Sequence, residues 1–275
     1  MGNIHIHQIF YNSETKKSLD QGFIPLDNCD NTRSDWREYW PIRKYLINNR
    51  LNENDFYGFF SPKFKSKTGL SADDCFGFIN SYSEDVDVFS FSPYFDVGTW
   101  FLNSFLQAAS QHSNARVVIE ESLRIINPAL NIDRIVMHSG NNIFCNFFVA
   151  KPKFWREWLA ICELIYREAE EVATPTSSGL NSAAERHHNA APIKTFVIER
   201  VASLMLASNN SWKVRAYDPF KLPFAPTWIS KERAALIQMD ALKMAFAVQG
   251  RDEYIQLFHH IQDMVEKNHN KNSNI

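Results

Sequence analysis

The chain opens on an alternation, Ile4 and Ile6 against His5 and His7, whose period of two predicts a strand over residues 3–11 with one face buried. A polar, turn-rich stretch with Asp27, Asn28, Asp30 and Asn31 follows. Apolar residues then return at helical spacing (Tyr39, Ile42, Tyr45, Leu46) with Pro41 suited to a first turn, so residues 36–49 read as a helix. Two apolar runs of strand length come next, 55–61 stopping at Pro62 and 86–92 stopping at Pro93. Between them lies a basic loop with Lys63, Lys65 and Lys67. Residues 97–110 and 115–127 have helical periods, the second opening after Ser113-Asn114 and closing at Asn127-Pro128. Residues 134–138 and 143–150 look like two more strands.

The clearest amphipathic helix is 154–172, with Trp155, Trp158, Leu159, Cys162, Ile165, Tyr166 and Ala169 on one face, broad enough to cover a sheet. Residues 173–191 are rich in Ser, Asn and Ala without a period and read as a mobile loop suited to a lid. Residues 193–207 and 231–267 are helical again, the latter broken near Gly250, and 268–275 form a frayed tail. Strands alternating with helices over residues 1–170, then helices alone, define an α/β protein: a helix-flanked sheet with a helical C-terminal section.

A length of 275 residues with 45% hydrophobic content supports one full-sized core. The formal net charge of -2 supplies no basic field for a nucleic-acid backbone or an anionic membrane. No apolar run approaches the roughly 18 residues of a membrane span, which leaves only peripheral membrane contact. Cys29, Cys75, Cys145 and Cys162 form no CxxC pair and follow no secretory leader, so they read as reduced thiols of a cytoplasmic protein. The 22 Phe, 9 Tyr and 7 Trp serve either a Phe-rich core or stacking on sugar rings and nucleobases; their number does not choose.

The high-specificity nucleotide motifs (GxGxxG, the Walker loop, the kinase set) are absent. GxSxG is missing too, and Cys145 has no local signature of a nucleophile. His187-His188 and His259-His260 are adjacent pairs that diverge by about 100° on a helix, which suits surface positions better than a shared metal. More informative are three dense polar strings at apparent strand ends: Ser61-Pro62-Lys63-Phe64-Lys65, Ser92-Pro93-Tyr94-Phe95-Asp96, and His138-Ser139-Gly140-Asn141-Asn142 leading to Asn146. Ligands of open α/β sheets bind beyond the carboxyl ends of the strands, so these strings are expected to converge on one polar pocket.

The succession Ile6-His7-Gln8-Ile9, Glu38-Tyr39-Trp40-Pro41-Ile42-Arg43, 56–64, 142–152 and Phe196-Val197-Ile198-Glu199-Arg200-Val201 resembles the GT-A-like glycosyltransferases of bacterial capsule and O-antigen gene clusters. The resemblance covers most of the chain. It implies a GT-A-like (Rossmann-like) mixed sheet, with residues 1–220 forming the nucleotide-sugar and acceptor domain and 221–275 a C-terminal helical section packed on it. It further implies a nucleotide-sugar donor, a glycan or lipid-linked glycan acceptor, no nucleic-acid partner, and work in the cytoplasm at the inner face of the membrane.

In that family a divalent cation, Mn²⁺ or Mg²⁺, commonly sits on the diphosphate through an Asp-x-Asp at a strand end. The one Asp-x-Asp here, Asp85-Val86-Asp87, falls before its strand, and a solvated turn competes with a metal site. Lys63, Lys65 and Lys151 offer cationic neutralisation of the diphosphate instead. Glu199, on an otherwise apolar segment, is either the base that accepts the acceptor hydroxyl proton or an ion-pair partner of Arg200; Asp96 is a second candidate base. His7, Gln8, Tyr57, Ser61, Ser92, Tyr94, His138, Asn142, Asn146 and Arg200 complete the expected substrate contacts. His5 and His7 point either toward the site or toward covering helices. The competing reading is a catalytically inactive GT-A-like module that binds glycan or scaffolds a polysaccharide-assembly enzyme.

Overall fold

A computed structural model describes residues 2–82, 85–112, 114–184 and 191–273. In chain order they form β1 (Ile4–Phe10), α1 (Ser13–Lys17), β2 (Ile24–Asp27), α2 (Tyr39–Asn48), β3 (Phe56–Phe60), α3 (Phe64–Thr68), α4 (Ala72–Asn80), β4 (Val88–Ser90), α5 (Phe95–Trp100), α6 (Ser104–Gln111) and α7 (Ala115–Ile126). The second half adds β5 (Phe148–Ala150), α8 (Pro152–Glu171), α9 (Pro175–Asn181), α10 (Ile193–Ile198), α11 (Val201–Ser208), β6 (Val214–Ala216), α12 (Arg233–Gln249) and α13 (Asp252–Ser273). A 3-10 turn at Ser34–Trp36 precedes α2.

The six strands make one mixed, mostly parallel sheet in the order β2-β1-β3-β5-β4-β6, with β5 alone reversed. Its two borders are β2, which contains Pro25, and β6, which contains Arg215. Alternation along the strands feeds two cores, not one. Ile9, Tyr57, Phe59, Val88, Phe148 and Ala150 join the layer built with Trp36, Tyr39 and the Trp155–Trp158–Cys162–Ile165 face of α8. Ile6, Phe56, Phe60, Phe89 and Val149 join the layer of Phe64 from α3 and Cys75 and Ile79 from α4. A sheet buried on both faces needs near-continuous apolar strands, which explains the Phe-Tyr-Gly-Phe-Phe of β3. Gly58 is small for a reason: a Cβ there would come within 2.7 Å of Val149 Cγ2 on β5. A third cluster, Phe95, Trp100, Leu236, Met239 and Phe258, seats α12 and α13 on α5. Gly250, at φ 66°, turns the chain between those two helices.

Several expected elements differ. The basic loop after Pro62 coils into α3, because Phe64 stacks on Phe60 with centroids 4.1 Å apart and Gly69 (φ 75°) ends the turn. No strand forms at 134–138: Met137 N bonds the Leu102 carbonyl, and Asn103 Nδ2 takes the carbonyls of Ile132 and Ile135. The 143–150 strand shortens to β5, since Cys145 (φ 61°) and Asn146 (φ 55°) are left-handed. Asn103 also caps α6 through Leu106 N, dividing the 97–110 helix. Glu199-Arg200 divides 193–207 into α10 and α11.

Within 173–191, α9 forms under a Thr174 cap that accepts from Ser177 N, whereas residues 185–190, with His187 and His188, lie outside the described residues. The stretch after residue 170 is not helical alone, because β6 pairs with β4; the 268–275 tail continues α13 to Ser273. α1, β2 and α4 arise where turns and a basic loop dominate the sequence pattern; α4 is fixed by a Ser71–Asp74 capping box.

His7 faces the covering helices. Its ring lies between Tyr45 (4.5 Å) and Phe59 (5.3 Å), and among the described residues neither ring nitrogen has a hydrogen-bond partner. Burial, with a smaller push from His5, lowers its pKa from 6.5 to about 4. The unfolded chain therefore binds the His7 proton more tightly. His7 is expected to subtract stability as pH falls below 6.5, reaching about 3 kcal/mol near pH 4. Urea titrations at stepped pH check this: His7→Phe should flatten that part of the profile, and an unchanged slope would refute the assignment.

Candidate functional site

β1 and β3 run parallel and end at Phe10 and Phe60; the residues just past them, Tyr11 and Ser61 to Lys63, open one side of a cavity of about 450 Å³. Ser34 of the 3-10 turn, with Arg37 and Glu38 between that turn and α2, forms a second wall. Thr195 and Phe196 of α10, with Glu199 beyond its end, form the third, and Lys67 of α3 reaches in from below. The cavity thus lies beyond the carboxyl ends of parallel strands, where open α/β sheets hold ligands.

Its lining carries the cations Arg37, Lys63 and Lys67 and the carboxylates Glu38 and Glu199. Tyr11 donates its hydroxyl to Glu38 Oε1 at 3.0 Å. Burial and the adjacent carboxylate both raise the Tyr11 pKa, so the phenol stays a donor. Lys67 Nζ donates to Cys145 Sγ at 3.0 Å. Burial pulls this ammonium down, but Cys145, Glu199 and Tyr94 outweigh it and leave the pKa raised, so Lys67 is a fixed positive charge. The Glu199 side chain keeps 39% of its exposure, into the cavity, and sits 3.8 Å from Arg200 Nη1. Desolvation pushes its pKa up; Arg200 opposes this, Glu38 adds to it, and Lys67 and Arg37 oppose it more weakly. The arrangement joins an anion-binding set to a carboxylate poised to accept a proton.

Of the residues singled out in the sequence, the structure brings Ser61, Lys63 and Glu199 to this cavity. Ser92, Tyr94 and Asn142 line a separate shallow cleft with Ser139, so the three polar strings share one end of the sheet without forming a single pocket. Ser92 Oγ accepts from Phe144 N, and Tyr94 is left-handed at φ 65°. Gln8 lies behind the cavity wall, its Oε1 accepting from Asp20 N and its Nε2 donating to the Ser61 carbonyl. Lys65 is exposed on the outer side of α3 and does not line the cavity. His138 accepts from Gly140 N through Nδ1, and burial lowers its pKa. Asn146 is buried beside Cys145.

The others lie apart. Tyr57 accepts from Asn52 N at the amino end of β3. Arg200 is buried, donating to the carbonyls of Ser104 and Phe196 and to Gln107 Oε1, so it braces the helices. Asp96 is fully buried and accepts from Ala225 N at 3.0 and 3.1 Å; desolvation raises its pKa. Asp85 and Asp87 precede β4, at the sheet end away from the cavity. Asp85 is ion-paired with Lys151 and Lys213, and Asp87 accepts from Lys213 N. This pair does not fit a cation serving the cavity, and among the described residues no three His, Cys, Asp or Glu side chains are grouped to hold a metal ion. No helix among the described residues is long and apolar enough to cross a membrane.

Sequence reasoning missed Tyr11, Arg37, Glu38, Lys67, Thr195 and Phe196 as cavity residues. The strand-end rule reaches Tyr11, the residue after β1; Arg37 and Glu38 carry no local signal of their place. No protein-family model matches the chain, and comparison with curated proteins and with solved structures gives no match.

Proposed function

We propose that the protein is a glycosyltransferase with a GT-A-like sheet, moving a sugar from a nucleoside diphosphate sugar to a hydroxyl of a surface-glycan or lipid-linked glycan acceptor at the inner face of the membrane. The observation that carries this reading is the cavity itself, where Lys63, Lys67 and Arg37 face Glu199 beyond the ends of β1 and β3. The three cations neutralise the diphosphate and its growing negative charge as the bond from the sugar C1 to the phosphate oxygen breaks. In an inverting transfer Glu199 takes the acceptor hydroxyl proton while that oxygen bonds to C1, and the nucleoside diphosphate departs. In a retaining transfer the same cations act and Glu199 orients the acceptor. Neither course is routed through Asp85 and Asp87.

Thermal unfolding with UDP-, GDP-, CMP- and dTDP-linked sugars, with and without Mn²⁺, tests the reading, because a ligand of the native state raises apparent stability. One donor class should raise Tm without Mn²⁺; no shift with any donor would favour the non-catalytic glycan-binding module. Lys67→Met is expected to weaken nucleoside diphosphate binding about tenfold or more, the value of a hydrogen bond to a charged group. Lys65→Met should leave it unchanged, and isothermal titration of the two variants separates the outcomes.

A further inference from the structure

Behind the cavity lies a closed charge network centred on Lys194, whose side chain is only 1% exposed. Its Nζ stands 2.5 Å from Asp35 Oδ2, 2.7 Å from Asn181 Oδ1 and 3.2 Å from Glu170 Oε1, with the Trp36 ring centroid at 4.3 Å. Arg33 bridges the same two carboxylates, and Trp36 Nε1 donates to Glu170 Oε1 at 2.9 Å. Two cations meet two anions, so the network is neutral.

Stability alone gives weak reason for this arrangement, since buried ion pairs are often replaceable by apolar side chains without loss. What the network does geometrically is tie the two walls of the cavity to one shared support through polar contacts of fixed geometry. Asp35 and Trp36 belong to the 3-10 turn that leads into Arg37 and Glu38; Lys194 belongs to α10, which leads to Glu199; Glu170 and Asn181 anchor both to α8 and α9. Immediately after the network Arg37 holds φ 50° and ψ -135°, a conformation rarely adopted by a side-chain-bearing residue and kept only where the surroundings enforce it.

We propose that Lys194 is a positioning residue: its ammonium sets the spacing across the cavity between the wall that carries Arg37 and Glu38 and the wall that carries Thr195, Phe196 and Glu199. The inference rests on the glycosyltransferase reading for its consequence in turnover, but the spacing itself can be read without any ligand.

The test variant is Lys194→Met/Asp35→Asn, which removes one charge of each sign and leaves Arg33 paired with Glu170. Its first readout is the titration of the Glu199 carboxyl by ¹³C NMR, assigned with Glu199→Gln. The groups facing that carboxyl are Arg200, Glu38, Lys67 and Arg37. When the walls separate and water enters, Glu199 returns toward the ordinary carboxylate range; an unchanged titration in a variant that still unfolds cooperatively overturns the proposal. If the double variant does not fold, Asn181→Ala, which deletes one neutral ligand of the ammonium, must shift the titration in the same direction, and no shift is again a refutation. UDP is the nucleotide probe for the second readout. In a wild type that binds UDP and transfers sugar, the double variant should lose about 100-fold in kcat, the effect of a misplaced reacting group, with a smaller change in the Kd for UDP. A folded double variant with wild-type kcat overturns the proposal, whereas failure of every nucleotide to bind the wild type sinks the glycosyltransferase reading and leaves the titration to decide the role of Lys194.

Discussion

Glu199→Gln is expected to slow sugar transfer by about 10²- to 10⁴-fold, the span of a lost general base, while nucleoside diphosphate binding stays within about twofold. The substitution keeps the shape of the side chain and its place over the cavity but removes the ability to take a proton. Because desolvation raises the Glu199 pKa in the free protein, the acidic limb of the kcat/KM profile should lie above the range of an ordinary glutamate. Activity is then low where the carboxyl is protonated and rises as pH passes its folded-state pKa. In Glu199→Gln that limb should vanish. Steady-state rates over a pH series check both points; a glutamine variant with wild-type turnover would leave either Glu38, which shares the cavity and accepts from Tyr11, as the base of an inverting transfer, or a retaining transfer that needs no acceptor base.

Trp155→Ala should produce the largest loss of stability, about 3–5 kcal/mol, with Tm lower by about 10 °C. Trp155 is fully buried where α8 crosses the sheet, stacked on Phe148 at 4.4 Å and set edge-on to Phe59 at 4.9 Å and Trp158 at 5.3 Å. Its Nε1 also donates to the Tyr57 carbonyl at 2.8 Å, so truncation removes a helix-to-sheet hydrogen bond together with the ring. Urea unfolding of the variant measures the loss. A change below about 1 kcal/mol would mean that the site collapses freely around the missing indole.

The pattern of the chain reveals those parts of the fold whose information is local. β1 and α8 are legible because their periods run unbroken over whole elements, β3 because its apolar run has strand length and stops at Pro62, and the Asp85-Val86-Asp87 string is correctly placed before β4. α3 is illegible for the opposite reason: its polar residues Lys65, Ser66 and Lys67 look like a loop until Phe64 is seen stacked beneath them on Phe60. The missing strand at 134–138 shows the same dependence on distant partners, since Asn103 and Leu102 claim its backbone groups.

The site divides along the same line. Glu199 is conspicuous as a carboxylate in an apolar segment, and Lys63 follows a strand end, so both can be found from sequence. Arg37 and Glu38 reach the cavity from a turn whose Asp35 pairs with Lys194, 157 positions beyond Arg37, a partner no local pattern announces. Asp96 reads as a candidate base beyond a strand, yet folding buries it against Ala225 N, a group no local pattern pairs with it.

The borders of the sheet govern how this molecule behaves in a crowd of its own copies. β2 is four residues long and includes Pro25, which has no N–H to offer a newcomer; β6 is three residues long and places Arg215 at its centre beside Lys213. A strand from a neighbouring chain would meet few donors on one border and only a three-residue strand flanked by charged side chains on the other. Short, proline-bearing and charged margins are the means by which β-proteins discourage strand addition and fibre growth. The aromatic wealth of the interior, hazardous if displayed on an open edge, is thereby kept from templating assembly.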